Sequence, residues 1–349
     1  MPIYQIFGET VNIEIPKEDF ITDDELAKME QSLPNCQHGF LPSVYKGAKL
    51  HYRYFLPKNN KPPKGLVVFL HGILSHSGKG ETMTEPSKPL TTKQLLDFYV
   101  HKKGFALYCL DQYGHGFSEG TRFFIPKSFR VNLQDAINFT QMVRDKHSEE
   151  ANARLFCMGE SYGGNLALQV AHHFEKNKGD KSIVNSVILM SPAIEGDLPP
   201  FPVYQILRYM LAPMFPKWTP FFMPNPLPPD RVWRDDTIIE HYTNPRYVKM
   251  GLDSPGKQFR LGTALNLVLA LEEVKSNVIP GFETPFCVLH GTEDEGVPIH
   301  GSEYLYKVAK SKDKRFHPIQ DAPHDLMNDP ATKDCLKLID DWIEHRMKA

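Results

Sequence analysis

The stretch RLFCMGESYGGNLALQVAHHFEKN, residues 154–177, decides the fold. It opens on an apolar run of strand type, RLFCM, and closes on an amphipathic run of helical type. Between them sits Gly159-Glu160-Ser161-Tyr162-Gly163, a G-x-S-x-G. A strand, a sharp turn and a helix in that order lift a serine hydroxyl clear of a sheet edge. The turn needs small neighbours, because a Cβ at Gly159 or Gly163 would collide with the adjacent strand and helix. The helix that begins just after Ser161 points its N-terminal dipole at any negative charge that develops there.

Working outward, the same strand-then-helix unit recurs. GLVVFLHG (65–72) leads to TTKQLLDFYVHKKG (91–104), and ALYCLDQ (106–112) leads to FRVNLQDAINFTQMVRDKH (129–147). SVILMSP (186–192), TPFCVLHG (284–291) and RFHPI (315–319) are further apolar runs, and Thr332–Lys348 reads as the last helix. Two short strands around a Lys46-Gly47 turn precede them, between His38 and Leu56. Such alternation implies an α/β fold: a mostly parallel central sheet with helices on both faces. The pattern breaks at 195–277. Residues 199–229 hold ten of the chain's 29 prolines, seven aromatics and two charged side chains, Arg208 and Lys217. Proline at that density excludes a regular helix or a central strand, and so much apolar area needs something to cover or bind. The chain therefore divides into an extension (1–40), a core in two parts (41–194 and 278–349) and an insertion (195–277) laid over the C-terminal edge of the sheet.

The bulk properties narrow the function. The chain has 349 residues, 41% hydrophobic and 23% charged, with a net charge of −2. That near-neutral balance, without a Lys/Arg cluster, speaks against nucleic acid as a partner. No apolar run is long enough to span a membrane, and the first twenty residues do not read as a signal peptide. A cytoplasmic protein is the expectation. The five cysteines, Cys36, Cys109, Cys157, Cys287 and Cys335, are widely spaced. They read as buried thiols, not as disulfides or metal ligands. No cofactor and no metal are expected.

A serine hydroxyl is a poor nucleophile without a base. After a G-x-S-x-G elbow the partners follow in the order acid, then histidine. TPFCVLHGTEDEG offers Glu293, Asp294 and Glu295 just after a strand, and Asp294 is favoured. RFHPIQDAPHDL offers His324 in the loop before the final helix. His317 lies inside a strand, and His300 starts a helix. Donors for an oxyanion are expected from the backbone N–H of Tyr162, after the nucleophile, and of Ile73, in the loop after VVFLHG. His71 reads as a hydrogen bonder within that loop. Asp111–Ser118, with its two glycines, reads as a tight structural loop.

Taken together, HGILSHSG (71–78), DQYGHGFSEG (111–120), GESYGG (159–164), SPAI (191–194), HGTEDEGVP (290–298) and APHDL (322–326) resemble the α/β-hydrolases. Within them the chain is similar to the monoacylglycerol lipase-like serine hydrolases, also called the lysophospholipase or serine-aminopeptidase-like group. The resemblance covers roughly residues 40–349. It implies a triad of Ser161, Asp294 and His324, with Ile73 and Tyr162 as oxyanion donors. It also implies that 195–277 is a cap, or lid, over an acyl-chain tunnel. Two features depart from the group's pattern: Tyr162 where Met is common, and a longer loop over 76–93 at the mouth of the site.

The expected function is hydrolysis of the carboxylic ester of a single-chain lipid, monoacylglycerol first, through an acyl-enzyme. A lysophospholipase, a general carboxylesterase or an acyltransferase would use the same triad. The aromatic insertion points to a lipid substrate, with Tyr204, Leu207, Leu211, Phe215, Trp218 and Phe222 as candidate contacts. Peripheral attachment to a membrane or lipid-droplet surface is the further expectation.

Overall fold

The structure, a computed structural model, describes residues 36–58, 61–78, 94–150, 152–177, 183–196, 198–221, 225, 227–243 and 257–349. The extension up to residue 35, most of the loop before the first helical turn, and Phe222 lie outside the described residues.

An eight-stranded sheet forms the frame, in the order β1-β2-β4-β3-β5-β6-β7-β8. β1 (Gln37–Pro42) and β2 (Lys49–Phe55) are the hairpin expected around Lys46 and Gly47, which both take positive φ, 57° and 68°. β3 (Gly65–Leu70), β4 (Ala106–Leu110), β5 (Arg154–Glu160), β6 (Ser186–Met190), β7 (Phe286–Gly291) and β8 (Lys314–Ile319) pair in parallel. The chain runs outward from β3 to β4, then returns to lay β5 on the other side of β3. That reversal leaves a crevice at the carboxyl ends of β3 and β5, where open α/β sheets bind ligands.

The central strands are buried on both faces, so they read as continuous apolar runs. Their side chains still alternate. Leu66, Val68 and Leu70 of β3 join one core, with helices α1 (Phe129–Lys146) and α2 (Ser161–Lys176). Val67 and Phe69 join the other. There they meet Leu96, Phe98 and Tyr99 of the helical segment Leu96–Lys102, and Cys335, Ile339 and Trp342 of the last helix. Four of the five thiols are buried. Among the described residues, no helix is long and apolar enough to cross a membrane.

The proline-rich insertion is more helical than its composition suggests. Val203–Met214 forms consecutive short helical segments between Pro202, at an N-cap, and Pro213, in a first turn, where prolines are tolerated. A short turn (Pro229–Val232) and α3 (Asp236–Thr243) follow. The end of the span does not lie over the sheet edge. α4 (Leu261–Glu273) packs on the core with α1 and α2, burying Ala270, while Asn266 Oδ1 accepts from Phe129 N at 2.8 Å. The parallel step from β6 to β7 needs such a crossover helix. The order closes with α5 (His300–Val308) and α6 (Thr332–Lys348).

Candidate active site

Ser161 sits at the junction of β5 and α2 with φ at 51°, a conformation side chains rarely adopt. The glycines around it are required by contact. A Cβ on Gly159 would strike the Gly163 carbonyl, and one on Gly163 would strike the Leu70 carbonyl of β3. The serine carbonyl accepts from Ala193 N at 2.8 Å, so the SPAI segment after β6 holds the elbow from behind. Asn165 extends that brace, its Nδ2 donating to Ala193 O at 2.8 Å.

The loops after β7 and β8 are stitched together before they deliver their side chains. Thr292 N donates to Ile319 O (3.0 Å), Glu293 N to Ala322 O (3.1 Å) and Asp321 N to Thr292 Oγ1 (2.9 Å). This brings His324 Nδ1 to 2.7 Å from Asp294 Oδ2. The other oxygen, Oδ1, accepts from Gly296 N (3.0 Å) and Val297 N (2.8 Å). Burial opposes ionisation of Asp294, but the charge and hydrogen bonds of His324 and His290 outweigh it and hold the carboxyl well below its usual range. Burial also disfavours a charged His324. The charge and hydrogen bond of Asp294, with the charges of Glu160 and Asp325, reverse that and raise its pKa above the usual value. Glu293 is exposed and Glu295 pairs with Arg231 at 3.0 Å, as solvated loop charges should.

On the opposite wall, the loop after β3 passes close to the serine: a Cβ on Gly72 would lie 3.2 Å from Ser161 Cβ. Ile73 follows, 8% exposed. Tyr162 is in the first turn of α2, where backbone N–H groups have no partner within the helix. His71 is fully buried and structural. Its Nε2 accepts from Gln112 N (3.1 Å), so Nδ1 carries the proton and donates to Gly72 O (2.7 Å). Asp111 is a hub, accepting from Ser77 N (2.6 Å), Phe117 N (3.0 Å) and His51 Nδ1 (2.7 Å).

Ser161 and His324 share one cavity of about 60 Å³ with Gly72, Ile73, Leu74, Ser75, Glu160 and Asp325. The insertion closes it with Leu227, Val232, Trp233 and Tyr242. The expected contacts Tyr204, Leu207, Leu211, Phe215 and Trp218 do not line it; Tyr204 Oη and Arg208 turn instead to Glu272 of α4. Trp233 and Tyr242 carry no local signal of their role. Trp233 finds its partner, Asp325, 92 positions away. Among the described residues no cluster of His, Cys, Asp and Glu could hold a metal ion.

The family model described as Hydrolase_4, serine aminopeptidase, S33, matches residues 61–331. The human monoglyceride lipase is 25% identical over 303 residues, 86% of this chain and 88% of its own. An uncharacterized abhydrolase domain-containing protein of Dictyostelium discoideum is 24% identical over 86% of this chain. That match spans only 28% of the larger protein's length. The crystal structure of a monoacylglycerol lipase from Paleococcus ferrophilus superposes with a TM-score of 0.65 at 23% identity, covering 85% of this chain and 99% of that one. With the model matching well over half its length, the chain belongs to the S33 serine aminopeptidase-like family of α/β-hydrolases.

Proposed function

We propose that the chain is a serine esterase that hydrolyses monoacylglycerol to glycerol and a free fatty acid. The observation that carries this reading is the 2.7 Å bond from His324 Nδ1 to Asp294 Oδ2, with His324 and Ser161 on the wall of one cavity. With Nδ1–H committed to Asp294, His324 Nε2 is the nitrogen left to take the serine proton. Ser161 Oγ then attacks the ester carbonyl, and the N–H groups of Ile73 and Tyr162 receive the oxyanion. The His324 imidazolium, stabilised by Asp294, returns its proton to the leaving glycerol oxygen. Water, activated by the same histidine, releases the fatty acid from Ser161.

A lipid substrate is supported by the apolar cavity wall and by relatives named monoglyceride lipase. The insertion supplies much of the apolar part of that wall through Leu227, Val232, Trp233 and Tyr242. In this reading the cap is the part of the insertion before α4. Its outer surface exposes Phe201, Tyr209, Met214 and Phe221 and attaches reversibly to lipid surfaces. The test is a panel of monoacylglycerols, lysophospholipids, short soluble esters and aminoacyl substrates. The highest kcat/KM on long-chain monoacylglycerol is expected. A preference for lysophospholipid or for aminoacyl substrates would overturn the assignment.

A further inference from the structure

Three successive residues of the insertion, Val232, Trp233 and Arg234, each bond to the loop that carries His324. Val232 O accepts from Asp325 N at 3.1 Å. Trp233 Nε1 donates to Asp325 Oδ2 at 2.7 Å. Arg234 grips Asp329 through Nε and one terminal nitrogen, both at 2.7 Å, and donates to Asp321 O at 2.6 Å. Asp321 and Asp329 lie on either side of His324, so the loop is held before, at and after the histidine.

Asp325 is the link to the base. It follows His324 directly and is 4% exposed. Its Oδ1 caps the turn Leu326–Asn328, accepting from Met327 N (3.0 Å) and Asn328 N (3.2 Å). Its Oδ2 accepts from Asn328 Nδ2 and Trp233 Nε1, both at 2.7 Å. Trp233 is itself fixed, 3% exposed and stacked on Tyr242 with ring centroids 4.5 Å apart and planes 6° from parallel.

His324 has no strand or helix of its own. Asp294 fixes one ring nitrogen, but that bond leaves the main chain beneath the ring to be placed by something else. A base displaced by about 1 Å loses on the order of 100-fold in rate. From these contacts we infer that Trp233 is a positioning residue for the base: through Asp325 it sets the main chain under His324. Proton transfer at Ser161 then depends on where the 227–243 wall sits. The inference rests on the reading of His324 as the base.

Trp233→Phe keeps an aromatic ring against Tyr242 and removes only the Nε1–H donor. The expected result is a roughly 10-fold fall in kcat on long and short esters alike. KM should stay within about 2-fold, and the melting temperature should stay near that of the wild type. Reaction of Ser161 with a fluorophosphonate should slow by the same factor as kcat. In a His324→Ala background, read on an activated aryl ester, the Trp233→Phe loss should vanish, because the residue acts only through the histidine. Arg234→Met, whose side chain does not line the cavity, should also lower kcat without raising KM. It reads the clamp even if the Phe variant folds poorly. A rise in KM alone, an equal loss in both backgrounds, or an unchanged kcat in Arg234→Met would overturn the inference. Wild-type activity in His324→Ala alone would instead overturn the reading of the base, and this inference with it.

Discussion

His290 and Asp294 stand in contact, although His290 does not line the cavity. His290 Nε2 is 3.2 Å from Asp294 Oδ2, the same oxygen that His324 Nδ1 reaches at 2.7 Å. His290 is fully buried, and its Nε2–H also donates to Val297 O at 2.9 Å. Its Nδ1 accordingly accepts from Ser302 Oγ at 2.7 Å. Asp294 is thus held by two histidines and two backbone N–H groups, which keep it ionised and stop it from rotating.

This arrangement separates Asp294 from its neighbours. Asp294→Asn should cost roughly 10⁴-fold in kcat, because the amide favours the wrong imidazole tautomer. Glu293→Gln and Glu295→Gln should cost little. His290→Phe should cost roughly 10-fold by loosening the carboxylate, with His290→Gln milder because it retains a donor. Steady-state kinetics of the five variants on one soluble ester check the order. A larger loss at Glu293 than at Asp294 would contradict it.

The acid limb of activity should report His324. The base works only when neutral, and its environment raises its pKa, so it stays protonated to a higher pH than a free histidine. The half-maximal point of kcat/KM on the acid side should therefore lie above about 6.5. Full activity maintained down to about pH 5.5 would count against this assignment.

Asp111 should matter for stability. Burial disfavours its charge, but the bond and charge of His51, with Arg53 and His76, hold its pKa well below the usual value. A depressed carboxylate stabilises the fold above its unfolded pKa of about 3.9. That contribution is lost as pH falls from there through the folded value. Asp111→Asn replaces an acceptor of two backbone N–H groups with an amide that can misdirect a donor at them. It should cost about 3 kcal/mol at neutral pH by urea unfolding. A change within about 0.5 kcal/mol would mean the hub is not a stability element.

Lipid attachment should depend on the exposed side chains of the insertion. Phe201, Tyr209, Met214 and Phe221 are 80, 69, 66 and 91% exposed. Burying roughly 300 Å² of such surface contributes on the order of 7 kcal/mol before the cost of association. Replacing the four by Ser should lower vesicle co-sedimentation and reduce turnover of long-chain substrates more than of a short ester. Binding by the wild type should persist at raised salt, because it rests on apolar area. Equal vesicle binding by the variant would contradict the attachment surface.

The sheet and the elbow were legible because their physics is local. Strands buried on both faces read as apolar runs, and Gly159 and Gly163 flank Ser161 because neighbouring carbonyls leave no room for a side chain. The spacing of Asp294 and His324 behind β7 and β8 follows from a parallel sheet that delivers loops to one edge. The cavity wall was not legible. Prolines and aromatics drew attention to Tyr204–Phe222, yet Tyr204 and Arg208 are engaged with α4, and Leu227, Val232, Trp233 and Tyr242 close the cavity. Their selection depends on pairings such as Trp233 with Asp325, which no short-range pattern encodes. The same is true of His290, which reads as the end of a strand until Asp294 folds back over it.

The central claim, an acyl-enzyme on Ser161, is tested most directly by labelling the wild type and Ser161→Ala with a fluorophosphonate while measuring fatty-acid release from a monoacylglycerol. The wild type should be labelled stoichiometrically and lose activity in step. Ser161→Ala should fold with an unchanged melting temperature, take no label and turn over roughly 10⁶-fold more slowly. Label on another residue, or a tenth of wild-type release from the Ala variant, would contradict the account.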